Sequence, residues 1–148
     1  MQVRYFRRGT RGFSLVELLT VVAVVAILSS IAVASYRRYA IRANRTDGTM
    51  VLLRIQAAEE KYFLQNNTYT TDLSDAPPAG LGISTTTPNG YYSLAVTADP
   101  GSTNNIATSY LATATATGTQ ATDTSCPTFT INDGGTHGPA ATASTCWH

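Results

Sequence analysis

Few side chains in this 148-residue chain have the type and spacing to do chemistry, and the most unusual is Glu17, set in RGFSLVELLTVV where a long apolar run begins. From Leu18 to Ala34 every residue is apolar, Ser or Thr. An ionised side chain inside a bilayer costs about 2.5 to 3.5 kcal/mol on insertion scales, so an acid there implies a cationic partner. No Lys or Arg lies between Phe13 and Tyr36. The nearest candidate is a cation that cleavage would create, an α-amine on Phe13 with a reference pKa of about 8. Phe13 and Glu17 are four residues apart and share a helix face, so the pair could form within one chain or between neighbours.

The other candidates are weaker. Cys126 and Cys146 are the only cysteines. If their region lies outside the cytoplasm, one disulfide closing a loop of about twenty residues is the economical reading, contributing roughly 3 kcal/mol. Two free buried thiols are the alternative. His137 and His148 lie nearby, but no C-x-x-C or H-x-x-x-H pair supports a metal site. GGTHG around His137 reads as a turn carrying an exposed structural histidine. Glu59 and Glu60 are adjacent on a helix, point to different sides and cannot act as an acid/base pair. There is no phosphate loop or nucleophile motif, so neither enzymatic activity nor a cofactor is expected.

Charge is distributed unevenly. Arg4, Arg7, Arg8 and Arg11 crowd the N-terminus, and no Lys or Arg follows Lys61, although the formal net charge is only +1. Beyond that point Asp72, Asp75, Asp99, Asp123 and Asp133 are acidic and unbalanced. Nucleic-acid affinity comes largely from counterion release by clustered cations, so no nucleic-acid partner is expected for this region.

The elements that must position these residues follow from periodicity. The apolar run, with FSLV before Glu17, is about long enough to span a bilayer as a helix. Beyond it, a proline-free stretch places Val51, Leu52, Ile55, Ala58 and Tyr62 at three- and four-residue steps, an amphipathic helix with a core-facing stripe. Asn66 and Asn67 tolerate the left-handed conformation of a helix stop. Residues 68–89, rich in Pro, Gly, Thr, Asp and Ser, read as a loop. YYSLAVT (91–97), TSYLATATAT (108–117) and PTFTIN (127–132) alternate with period two and read as antiparallel strands, with Tyr110, Ala112, Ala114 and Ala116 giving one small face. The remainder is a turn-rich tail. Arg37, Arg38, Arg42 and Arg45 form either a solvated belt at a membrane surface or a patch facing acidic domains of neighbouring copies.

The stretch RGFSLVELL, followed at once by the apolar run, resembles the class III signal of type IV prepilins and type II secretion pseudopilins. It has a short basic leader ending in Gly12, an aromatic first mature residue, Phe13, and a glutamate, Glu17, at fixed spacing. The resemblance implies that a prepilin peptidase cuts after Gly12 and methylates the Phe13 amine. It further implies that Glu17 meets the N-terminal amine of an adjacent subunit and sets helix register during filament assembly. Two residues depart from the family pattern: Ala26 and Ala34 stand where type IV pilins usually carry a glycine and a proline. Alanine favours a helix interior over proline by about 3 kcal/mol, which predicts a straighter and less readily melted helix.

The helix text YAIRANRTDGTMVLL and AAEEKYFLQNNTYTTDL, with SYLATATATGTQ and SCPTFTIND before a final CW, is similar to the PilE-type minor pilins, and the likeness covers nearly the whole mature chain. Its implied fold is α+β, the type IV pilin fold: a long N-terminal helix packed on a small antiparallel sheet, with a C-terminal loop closed by Cys126 and Cys146. The implied organisation is a leader at 1–12, a transmembrane and assembly half-helix at 13–35, an amphipathic half-helix at 36–67, and a globular sheet domain at 68–148. The implied function is that of a minor pilin helping to prime pilus assembly for twitching motility and adhesion. Its partners would be other minor and major pilins, prepilin peptidase and the inner-membrane assembly machinery. The chain would sit in the inner membrane with its C-terminus periplasmic, then in the extracellular pilus. A main filament subunit, a secretion pseudopilin and a tip adhesin or DNA-uptake module are the alternatives.

Overall fold

The computed structural model describes residues 12–147; His148 and residues 1–11, which make up the expected leader apart from Gly12, lie outside the described residues. Helix α1 runs from Leu15 to Asn66 without a break at Ala26 or Ala34. It stops where expected: Asn67 takes a left-handed backbone conformation (φ 56°) and its N–H returns 2.7 Å to the Phe63 carbonyl.

The chain divides after Tyr39 into two units. In the first, every described residue is exposed, including Phe13, Leu15, Leu18, Val22 and Ile31. This is the single helical stretch among the described residues that is long and apolar enough to cross a membrane.

The second unit begins at Ala40 and holds the core. Here α1 buries Gly48, Leu52, Ile55 and Glu59, a stripe at four-, three- and four-residue steps, flanked by the partly buried Val51, Ala58 and Tyr62. Strands β1 (Tyr92–Ala98), β2 (Tyr110–Ala116), β3 (Thr128–Asn132) and β4 (His137–Gly138) form one antiparallel sheet in the order β1-β2-β3-β4. In register, Ala112 lies opposite Val96 and Ile131, and Ala114 opposite Leu94 and Phe129. These residues, with Tyr92 and Tyr110, form the buried face of the sheet, so small and large side chains interdigitate. Ala116, expected on the same face, is only partly buried. Close approach is also allowed by Gly48, where an added Cβ would sit 3.2 Å from the Tyr92 ring.

Three strands lie within a residue or two of the expected ranges. The fourth, with a short helix α2 (Ala143–Cys146) and a 3₁₀ turn at Gly118–Thr122, emerges from stretches whose Gly, Pro and Thr content signals only turns. Residues 68–89 form a loop, but one that enters the core through Leu73, Leu81 and Ile83. Its backbone is pinned by Ile83 N–H to the Leu73 carbonyl and Leu94 N–H to the Thr85 carbonyl, both 2.7 Å. Buried backbone needs such partners, and here the loop finds one within itself and one on β1.

Candidate functional site

At the N-terminal end, Ser14 precedes the first helical residue and its Oγ accepts the Glu17 N–H at 3.2 Å. This is half of the capping box that Ser-x-x-Glu forms, so Glu17 is also a helix-start residue near the positive end of the helix dipole. The hydroxyls of Thr20 and Ser30 donate to the carbonyls of Glu17 (2.8 Å) and Ile27 (2.7 Å), leaving no polar group of theirs unpaired along an apolar helix. The Glu17 side chain is exposed, and among the described residues its carboxylate makes no hydrogen bond or ion pair. Phe13 is exposed as well.

At the other end of the chain, Cys126 and Cys146 form a disulfide with Cα atoms 5.8 Å apart, and both are buried. Trp147 follows directly, donates Nε1–H to the Gly138 carbonyl (3.0 Å), packs edge-on against Phe129 and stacks on His137 at 3.9 Å. His137 is exposed, as expected, but on strand β4 rather than in a turn. Among the described residues no group of three His, Cys, Asp or Glu is placed to hold a metal ion.

Between the termini, a polar clamp that residue spacing does not reveal fastens the 3₁₀ turn to α1. Arg45 binds Asp123 with two hydrogen bonds, and the Cys126 N–H adds a third to the same carboxylate at 3.2 Å. Arg45 therefore leaves the arginine belt: its charge is held within the chain, whereas Arg37, Arg38 and Arg42 stay exposed. Gln120, fully buried, donates Nε2–H to the Ile41 carbonyl (2.9 Å) and the Tyr92 hydroxyl (3.0 Å) and accepts from Asn44. Burial pushes the Asp123 carboxyl up, but the hydrogen bonds and charge of Arg45 outweigh it and hold Asp123 below the usual carboxylate range.

Glu59 and Glu60 diverge, as their adjacency requires: Glu60 is exposed and Glu59 is fully buried. Glu59 Oε2 accepts the Thr70 N–H at 3.1 Å. Burial, aided by the Glu60 charge and opposed by the Thr70 bond, pushes its carboxyl up to about 7.

Comparison with known proteins matches two family models. Residues 34–130 match the family described as type IV minor pilin ComP, DNA uptake sequence receptor, and residues 7–33 match the prokaryotic N-terminal methylation motif. The type IV wide pilus major component PilA4 of Thermus thermophilus is 34% identical over 87 residues, 59% of this chain and 65% of that protein. The prepilin peptidase-dependent protein D of Escherichia coli is 34% identical over 77 residues, 52% of this chain and 51% of that protein. The match thus spans between half and two thirds of each relative's own length. A solved type IV pilin from Shewanella oneidensis shares the fold with a TM-score of 0.50 at 22% identity, covering 73% of this chain and 98% of that one.

Proposed function

We infer the role from membership: the chain belongs to the type IV minor pilin ComP family, and its long apolar-ended helix, four-stranded sheet and C-terminal disulfide are those of a type IV pilin structural subunit. Within that class we propose a minor pilin that helps prime pilus assembly with other pilins, and so serves twitching motility and adhesion. A prepilin peptidase would cut after Gly12 and methylate Phe13. The new amine, or that of a neighbouring subunit, would answer the Glu17 carboxylate. Before assembly the chain would be held in the inner membrane with its C-terminus periplasmic.

One observation supports this reading above the rest: a helix exposed on all sides along its apolar half carries a single carboxylate with no partner among the described residues. Such a surface has to be buried in lipid or among other helices, and such a charge requires a cation.

The test is intact mass of the protein from sheared surface filaments and from membranes. A species that begins at methylated Phe13 and is scarce beside a main subunit supports the minor-pilin reading. An abundant filament species makes it a main subunit, and an uncut chain confined to membranes removes the assembly reading altogether.

The family's description favours a second reading, reception of DNA. Phosphate chemistry weighs against it, because no Lys or Arg follows Lys61 and Arg45 is already paired with Asp123. Salt-dependent binding of duplex DNA by purified protein would overturn that objection.

A further inference from the structure

We infer that Glu59 is a proton-responsive latch between helix α1 and the segment that leaves it, closed more firmly when its carboxyl is protonated than when it is ionised. This goes beyond the assembly reading and does not depend on it.

Glu59 occupies a core position of α1, four residues after Ile55, and has no exposed surface. One of its oxygens holds Thr70, just past the Asn67 helix stop; the other, Oε1, has no hydrogen-bond partner. The buried Tyr110 hydroxyl and Asp133 Oδ1 lack partners too. Tyr110 on β2 belongs to this site, and the titratable groups whose charges act on its phenol together with Glu59 are Glu60 on α1, Tyr69 on the departing segment and Asp133 just after β3. Their rings and backbone tie the site together: Tyr69 packs on Phe63 (centroids 4.6 Å apart) and on Tyr110 (4.8 Å).

None of these neighbours is cationic. An ionised Glu59 is thus a buried negative charge among acids and phenols, satisfied by one backbone N–H. Burial of a charge without a counter-ion is relieved either by taking up a proton or by opening to water. The protonated form removes the uncompensated charge from a site where Glu59 Oε1, the Tyr110 hydroxyl and Asp133 Oδ1 have no hydrogen-bond partner to stabilise it. The ionised form favours local opening, and the part that can open is the Thr68–Thr70 segment, which ties to the rest by few backbone bonds. The upward push to about 7 places the changeover at neutral pH.

The sign follows from linkage. The closed state binds the Glu59 proton more tightly than an opened state with the ordinary value of 4.5, so closure is favoured at low pH and weakens as pH rises through 7. With those two values, opening should become about thirtyfold more frequent between roughly pH 5.5 and 8.5.

The experiment uses the full chain in detergent micelles. Carboxyl ¹³C titration should give Glu59 a midpoint near 7, and hydrogen-exchange protection of the Thr70 amide should fall by ten- to thirtyfold, in order of magnitude, over that pH range. E59Q should flatten the Thr70 profile, whereas E60Q should keep most of the fall. A wild-type Glu59 midpoint near 4.5, or parallel Thr70 profiles in wild type and E59Q, would overturn the inference; the first needs no variant to fold.

Discussion

Arg45 and Asp123, 78 residues apart in sequence, meet in a two-pronged ion pair: Nε to Oδ2 at 2.7 Å and Nη2 to Oδ1 at 2.8 Å. The pair does more than join charges. Its carboxylate also accepts the Cys126 N–H, so one side chain links α1 to the residue that closes the C-terminal disulfide. The fork geometry of a guanidinium suits this bidentate contact, which a lysine would not reproduce.

Arg45→Met should destabilise the second unit, because Asp123, only 4% exposed at its side chain, would be left buried without its cation. Breaking a fully buried pair costs about 3 to 5 kcal/mol, and the 17% exposure of Arg45 lowers the expectation to roughly 2 to 3 kcal/mol. Chemical denaturation of the two proteins in micelles gives the number. Equal midpoints would show that the pair contributes nothing.

Much of this architecture is legible in residue order because burial leaves a period. The helix stop at Asn67, three strand positions and the Leu52–Ile55 stripe all follow from apolar spacing or turn chemistry. Gly48 and Glu59 escape because they occupy stripe positions with residue types that usually signal solvent or a break. Gly48 is there for the Tyr92 ring, and Glu59 for the Thr70 N–H, and both reasons lie in partners distant along the chain. The Arg45–Asp123 and Gln120 contacts are invisible for the same reason. Glu17 is the reverse case: its oddity is local, so the sequence alone exposes it.

Two acids should give the second unit a stability maximum on the acid side of neutral. Glu59, pushed up to about 7, contributes stability that is full below about pH 4.5 and is lost as pH rises through 7. Asp123, held below its ordinary range, contributes stability present above about pH 4 and lost as pH falls through its lowered value. Thermal unfolding of the full chain across pH should therefore peak between about pH 4 and 5. A curve rising steadily to pH 8 would contradict the buried-carboxyl account.

Reduction or Ser substitution of Cys126 and Cys146 should lower stability by roughly 3 kcal/mol, the chain-entropy value for a crosslink with a sequence separation of 20. Trp147 offers a local readout, since its ring leans on Phe129 and His137 directly beyond the bridge. Its fluorescence should shift on reduction at denaturant concentrations that leave the oxidised protein folded. An unchanged midpoint would mean that the aromatic stack holds the C-terminus without the disulfide.

The two roles open to Glu17 separate in a single substitution. At the third helical position, the last of a Ser-x-x-Glu capping box, it needs only a side chain able to reach back to the helix start, and Gln serves there nearly as well as Glu. As the partner of an α-amine it needs its charge, and Gln removes that. Glu17→Gln should therefore leave membrane insertion and the helix start intact, measured by membrane fractionation and by the protection of the first-turn amides. The same variant should drop out of sheared filaments by at least tenfold, a loss of about 1.4 kcal/mol in the incorporation equilibrium. If Glu17→Gln is incorporated as well as the parent while Glu17→Ala is not, a side-chain hydrogen bond that Gln retains is the function of this residue, since the backbone contact with Ser14 survives in both variants, and the carboxylate charge has no addressee on a neighbouring subunit.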